Sequence, residues 1–304
     1  MVDSRERARV VMFTLLPFAI DQLEPILREK GHKLVGIVTA PGPVSRRSDE
    51  FRKVAERARP GLDVIISNYP NRWADMIRPL RPDLIFCAGF NWKIPKSVLD
   101  VPRYGAVNLH DSLLPRNRGK NSTGWALRTG DPGYGLTIHR MTPELDDGPI
   151  MAQKEVAIGD DEDVDDVLPR FIEASLRAMG EAVDRMIDGF PGIPQEESEA
   201  TYTPGAFEPE WREIDWNKPA RDVFFQVRSW YGVRDVPRGA FGEIDGERVL
   251  ITKAKPASGE TAANGASPGS VIGRDESGML IMCADAPLRV IEWSAVAGPG
   301  PAEG

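Results

Sequence analysis

The sequence predicts a two-part chain: an α/β domain on a mostly parallel sheet, then a small β-barrel. Three observations predict it. Residues 10–13, 18–30 and 34–38 read strand, helix, strand, and such a β-α-β unit opens a parallel sheet. Residues 83–88 (DLIFCA) are a mostly apolar run of strand length, as expected of a strand covered on both faces. Beyond residue 211 one helical pattern is followed by short strand patterns separated by turn signals.

Taken in order, the first helix sets Ile20, Leu23, Ile26 and Leu27 on one face, and Gly31 is placed to close it. The turn before it, Thr14-Leu15-Leu16-Pro17, has no glycine. A dinucleotide pyrophosphate needs glycines there for close approach, so the Rossmann-like start does not imply NAD or FAD. Residues 45–49 read as loop, 50–57 as helix, 64–66 as strand and 72–77 as a short helix. The run 83–88 carries Cys87 as a small core residue and leads into the loop 89–95. Residues 104–107 read as a buried strand whose end presents Asn108 and His110. These two are two residues apart, so their side chains share a face. The stretch 112–119 (SLLPRNRG) reads as a loop.

A helix at 122–129 and strands at 136–141 and 150–158 follow. The acidic run 160–166 puts carboxylates at the N-terminus of a helix reaching about residue 188, a better account of the run than a metal site. Pro169 marks that helix's first turn or a kink. A helix at 220–229 and strands at 242–244, 248–254, 270–272, 279–283 and 288–293 complete the pattern. Residues 258–267 and 297–304 read as unstructured. The expected organisation is a catalytic domain at 1–191, a proline-punctuated linker at 192–210 and a second domain at 211–304.

The chemistry-bearing residues fall in NLHDSLLPRNRGKN (108–121) and HRMTPELDDGPI (139–150). Alone, Asn108 fits a strand-end turn, His110 a hydrogen-bonded core histidine and Asp146 a turn residue. Together, N-x-H-x-S-L-L-P-x-x-R-G followed by L-D-x-G resembles the 10-formyltetrahydrofolate-dependent formyltransferases. The 38-residue separation of Asn108 and Asp146 fits that family too. The resemblance runs over nearly the whole chain, strong at 83–153 and weak after 212.

The resemblance implies a Rossmann-like catalytic domain followed by an OB-like barrel. It implies transfer of a formyl group from 10-formyltetrahydrofolate to a primary amine, with no metal. Asn108, His110 and Asp146 are implied as catalytic. Trp92, Lys93 and Ile94 are implied as one wall of the folate pocket, although from the residues alone their loop reads equally well as a helix-initiating connection ending at Pro95. Ser112, Leu113, Leu114 and Pro115, with Thr142, Pro143, Glu144 and Leu145, are implied as further folate contacts, and Arg118 and Lys120 as acceptor contacts. Such a transfer needs donors for an oxygen that turns negative and a route for the amine's proton. The Asn108 amide and a protonated His110 would serve the first need. A neutral His110 would serve the second, and an unperturbed pKa of about 6.5 allows either state. Asp146 beside the ring would favour the imidazolium. The formyl group is already activated on the folate nitrogen, so no nucleophilic Ser or Cys is required.

Composition bounds the partners. The 304 residues can bury two cores, and no apolar run reaches the length of a membrane span. Two cysteines build no disulfide framework, and a reducing cytoplasm is the expected setting. The net charge is −8, and from residue 205 onward acids outnumber bases 15 to 11. The loop after the second strand offers two basic residues, Arg46 and Arg47. Nucleic-acid binding draws on Lys and Arg at phosphates. Ser122 stands where the family usually has proline, and Lys120 aligns with an arginine of the sugar-amine enzymes. A small-molecule amine, such as a nucleotide-linked amino sugar or an amino-acid-derived amine, is therefore the expected acceptor. Charged tRNA is the alternative, because the linker and C-terminal domain are arranged as in methionyl-tRNA formyltransferases. A 10-formyltetrahydrofolate hydrolase is a further reading. A non-catalytic folate-binding module is disfavoured by the intact Asn108, His110 and Asp146.

Overall fold

The computed structural model describes residues 7–41, 50–230, 238–257 and 265–296. The loop at 45–49 with Arg46 and Arg47, most of the segment 258–267, and the tail 297–304 lie outside them. In chain order the α/β part contains β1 (Arg9–Thr14), α1 (Pro17–Glu29), β2 (Lys33–Thr39), α2 (Glu50–Arg57), β3 (Asp63–Ile66), α3 (Trp73–Ile77) and β4 (Leu84–Ala88). Then come α4 (Lys96–Leu99), β5 (Ala106–His110), β6 (Arg118–Lys120), α5 (Ser122–Thr129), β7 (Gly135–Arg140), β8 (Ile150–Glu155) and α6 (Val164–Ile187). After β9 (Tyr202–Pro204) and α7 (Ala220–Ser229), five strands follow: β10 (Ala240–Ile244), β11 (Glu247–Pro256), β12 (Val271–Asp275), β13 (Gly278–Met282) and β14 (Pro287–Ala295).

The chain divides into two compact units, each discontinuous in sequence. The first is Met1–Gly119, Gly135–Val156 and Arg170–Tyr202; the second is Lys120–Tyr134, Ala157–Pro169 and Thr203–Gly304. Residues 192–202 thus belong to the first unit.

The first unit is organised by a seven-stranded sheet of order β3-β2-β1-β4-β5-β7-β8. Its β3 to β5 part is parallel, and β7 and β8 are antiparallel additions. The chain runs outward one way through β2 and β3, then the other way through β4 and β5. The strand order therefore reverses between β1 and β4, and ligands of open α/β sheets bind at the carboxyl ends of such a pair. β1 and β4 are almost wholly buried, which explains their uninterrupted apolar sequences.

α1 starts on Pro17, buries Ala19, Ile20, Leu23 and Leu27, and ends as the sequence suggested. Gly31 takes φ +78°, while the His32 N–H donates to Leu27 O at 2.7 Å and the Gly31 N–H to Arg28 O at 3.1 Å, closing a Schellman turn. Beneath the sheet Trp73 is fully buried and meets Phe13 and Phe90 edge-on at 5.7 and 5.4 Å.

In the second unit a five-stranded antiparallel sheet, β10-β11-β14-β13-β12, packs with α7 around Phe224, Trp216, Ile251, Ile281 and Val290. Arg228 on α7 is buried. Its guanidinium donates to the carbonyls of Leu127, Gly159 and Glu162 and lies 3.7 Å from the Phe225 ring centroid.

Four local expectations change. Asn108 and His110 lie within β5, because the chain enters the strand only after Gly105 at φ +82°. Arg118, expected in a loop, lies in β6, which pairs with β9 from the expected linker. The acidic run does cap α6, through Asp163 Oδ1 accepting from the Asp165 N–H at 2.9 Å, but Pro169 lies inside the helix rather than in its first turn. The strand expected at 150–158 stops at Glu155.

Candidate active site

The pairing of β5 decides what its polar face meets. Asn108 sits opposite Cys87 on β4 and His139 on β7, and His110 sits opposite Thr137. Residues directly opposite across a ladder point to the same face. Asn108 and His139 are therefore neighbours, with Asn108 Nδ2 at 3.3 Å from His139 Nε2.

The Asp146 carboxylate enters from the turn after β7 and is 7% exposed. Its Oδ1 lies 3.4 Å from His139 Nε2, its Oδ2 lies 3.7 Å from His110 Nδ1, and Oδ2 accepts from the Gly119 N–H at 3.0 Å. Two imidazoles and a peptide N–H converge on one buried carboxylate. Burial pushes its pKa up, but the hydrogen bond with His139, the charges of both imidazoles and the Gly119 N–H outweigh that and hold it below its ordinary value of 3.8.

The turn's geometry is fixed by sequence. Asp146 itself takes a left-handed φ of +53°. Gly148 is pressed onto β7 so closely that a Cβ there would lie 1.9 Å from Arg140 O. No other residue fits this position without moving the backbone.

Hydrogen bonds assign the tautomers of the neutral rings. His110 Nε2 is 2.9 Å from Asn117 O, so it carries the hydrogen and leaves Nδ1 facing Asp146. His139 Nδ1 is 3.1 Å from Arg140 O, so it carries the hydrogen and Nε2 accepts from Asn108. The loop 112–115 is set by Thr137, whose hydroxyl donates to Ser112 O and accepts from the Leu114 N–H. Gln153 Nε2 bonds both Leu114 O and the Thr137 hydroxyl at 2.9 and 2.8 Å. Ser112 Oγ donates to Arg116 O at 2.7 Å, which shapes the same loop.

The structure thus brings together Asn108, His110 and Asp146. The loop 89–95 leaves β4 beside β5 and carries Trp92, Lys93 and Ile94. Ile94 is buried, and Trp92 packs edge-on against Trp73 with its ring centroid 6.3 Å away. Pro95 then begins α4, so the helix-initiating reading of this loop holds as well. Thr142 donates to the Asp147 carboxylate, Pro143 and Glu144 are exposed, and Leu145 stands 64% exposed beside Asp146.

The expected acceptor contacts fare differently. Arg118 is 2% exposed, with its guanidinium on Gln195, Glu197 and the Tyr202 hydroxyl, so it faces protein rather than an incoming substrate. Lys120 belongs to the second unit, is exposed, and its carbonyl accepts from Thr203 Oγ1 at 2.6 Å. Two site residues escaped the sequence reading. His139 alternates with Thr137 and Met141 along its strand, and that alternation was a usable signal for its face, but not for its partner. Gln195, described below, gave none.

The fold and the site define a class. Residues 33–183 match the formyl transferase family and residues 207–298 match the formyl transferase C-terminal domain. A methionyl-tRNA formyltransferase of Bacillus licheniformis is 32% identical over 93% of this chain and 89% of its own length. Among solved structures, HypX of Aquifex aeolicus in complex with tetrahydrofolic acid shares the fold (TM-score 0.70, 19% identity, 96% of this chain and 45% of that one). A sugar N-formyltransferase from a Shewanella species also shares it (TM-score 0.63, 17% identity, 84% of this chain and 99% of that one). The chain belongs to the formyl transferase family, enzymes that take the formyl group from 10-formyltetrahydrofolate.

One expectation is overturned here. Five curated relatives, 28–32% identical to the chain, are all methionyl-tRNA formyltransferases, which displaces the small-molecule amine as the expected acceptor. The charge count misled because a regional sum says nothing of how charges are distributed over a surface, and the C-terminal cations are largely engaged in ion pairs. Arg248 pairs with Glu213, Arg274 with Asp245, Arg289 with Asp275 and Lys255 with Asp166. A regional net charge does not report a local patch.

Proposed function

We propose that this protein transfers a formyl group from 10-formyltetrahydrofolate to the amino group of methionyl-tRNA, in the cytoplasm. The observation that carries the reading is that the similarity to methionyl-tRNA formyltransferases spans both units of the chain and 88–90% of those relatives' length. Membership of the formyl transferase family supports a folate donor, which would supply a formyl group already activated on nitrogen.

The chain's own residues then have defined tasks. One N–H of Asn108 Nδ2 is spent on His139, and the second is available to an oxygen on which negative charge builds. Losing one such donor costs about 10²–10³ in rate. His110 Nδ1, unprotonated in the neutral ring, is the atom that takes the amine's proton, and the resulting imidazolium is balanced by Asp146 at 3.7 Å. Asp146 stays ionised throughout, because the same surroundings that bury it supply its counter-charges. The imidazolium is also the donor for the proton that the leaving nitrogen needs.

The test compares formate release without an acceptor with formylation when methionyl-tRNA is added. Turnover that depends on the aminoacyl-tRNA supports the proposal. Formate release that proceeds at the same rate with or without it would make the enzyme a hydrolase.

A further inference from the structure

We propose that Gln195 and Arg118, which never touch the reacting atoms, act as a clamp that positions the catalytic Asp146. Gln195 lies in the segment that reads as linker in the sequence, and nothing in its composition marks it. In the fold its side-chain amide bridges two loops. Nε2 donates to Asp146 O and to Gly148 O, both at 2.8 Å. Oε1 accepts from Arg118 Nε at 3.1 Å and Arg118 Nη2 at 3.0 Å.

Chemistry fixes the amide's orientation. Flipping it would set the NH₂ group against a guanidinium, which only donates, and the oxygen against two carbonyls, which only accept. All four contacts are lost together in the flipped form, so Gln195 is locked one way round.

The contacts close a ring around Asp146. Its backbone carbonyl is held by Gln195, Gln195 is held by the buried Arg118 side chain, and the next residue along, Gly119, donates its N–H to the Asp146 carboxylate. The residue being held is a non-glycine at φ +53°, a conformation that persists where surroundings over-determine it. Arg118 is anchored in turn by Glu197 Oε2 and the Tyr202 hydroxyl, both at 2.9 Å. Thr201 adds two more ties to the same loop: its Oγ1 accepts from the Asn117 N–H at 2.8 Å and its carbonyl from the Arg118 N–H at 2.9 Å. Asn117 is the residue whose carbonyl fixes His110. The segment 195–202 therefore supports both Asp146 and His110 from behind.

The inference rests on the formyl-transfer reading, and the test separates the two. Gln195→Glu keeps the acceptor for Arg118 and removes both donors to the Asp146 turn. Gln195→Ala removes both sides. With wild-type turnover established, each should lower kcat by about 10–100-fold, since small misplacements of a catalytic group cost on that order, while KM for the folate stays within a few-fold. The deciding readout is a cycle with Asp146→Asn. If Gln195 acts through Asp146, Gln195→Ala has little further effect on turnover in the Asp146→Asn background. Equal losses in both backgrounds would overturn the clamp, as would a Gln195→Glu protein with wild-type kcat. Thermal melting of each variant, with and without tetrahydrofolate, identifies a variant that has lost its fold; Gln195→Met, nearly isosteric, then takes its place in the same cycle. An inactive wild-type enzyme would count against the formyl-transfer reading alone. In that event the clamp is tested by crystallography of Gln195→Met, where Asp146 remaining at its wild-type φ and carboxylate position would refute it.

Discussion

Oδ1 of Asp146 lies 3.4 Å from Nε2 of His139, a histidine outside the N-x-H and L-D-x-G signature. The carboxylate thus has an imidazole at each oxygen, His139 on one side and His110 on the other. His139 also holds the Asn108 amide, so one ring orients both groups that flank His110. Replacing His139 with Leu leaves Asp146 with one imidazole and frees the Asn108 amide to rotate. Turnover should fall about 10²-fold, with the folate KM little changed. His139→Gln, whose side-chain oxygen can still accept from the Asn108 amide, should recover part of the loss. Steady-state kinetics of the two variants checks this, and equal activity of both would detach His139 from the site.

The pKa of Asp146 gives a pH dependence with a definite sign. Its folded value lies below the ordinary 3.8, so the ionised form stabilises the fold. That stabilisation is fully present above the unfolded value and is lost as pH falls through the lower, folded value. Asp146→Asn removes it at every pH. The difference in unfolding free energy between wild type and variant should therefore be present at pH 5 to 7 and shrink as pH falls below 3.8. Denaturant unfolding across that range measures it, and a difference that grows toward acid would contradict the assignment.

Gly148→Ala tests the shape of the turn rather than its charge. The added Cβ would meet Arg140 O at 1.9 Å, and the obstacle is backbone, which cannot swing aside. The cost should be about 1–3 kcal/mol of stability, with turnover falling further because Asp146 is carried on the displaced turn. Thermal melting and turnover of the variant check both parts.

Neither cysteine should behave as a reactive thiol. Burial pushes Cys87 up to about 12, with the Asp146 charge adding to it, and burial followed by the Asp285 charge does the same to Cys283. The folded protein should leave both thiols unreacted with a thiol-specific reagent at pH 8, and denatured protein should titrate two. Fast labelling of Cys87 in the native protein would contradict the packing of β4 against β5.

Much of the fold was legible because local signals and tertiary burial agree. The apolar run of β4, the Gly31 turn and the alternation of β7 each express one local rule. The candidate catalytic residues stood out for a different reason: Asn108, His110 and Asp146 form a pattern that needs no coordinates to be read. What stayed hidden depends on contacts between distant segments. Gln195 and Arg118 are 77 residues apart and meet only because β6 and β9 pair. Arg118, which the resemblance implied as an acceptor contact, is instead buried against protein groups, and only the fold shows that. The acceptor was not legible from charge, because a regional net charge does not report where on the surface the charges lie.

The identity of the acceptor can be measured directly. Purified enzyme with 10-formyltetrahydrofolate is given methionyl-tRNA and, in parallel, a panel of nucleotide-linked amino sugars and free amino acids, and kcat/KM is determined for each. The expected product is formyl-methionyl-tRNA, with kcat/KM at least about 10³-fold above that for any small amine, a margin of roughly 4 kcal/mol in transition-state binding. A higher kcat/KM on a small amine, with methionyl-tRNA left unformylated, would contradict it.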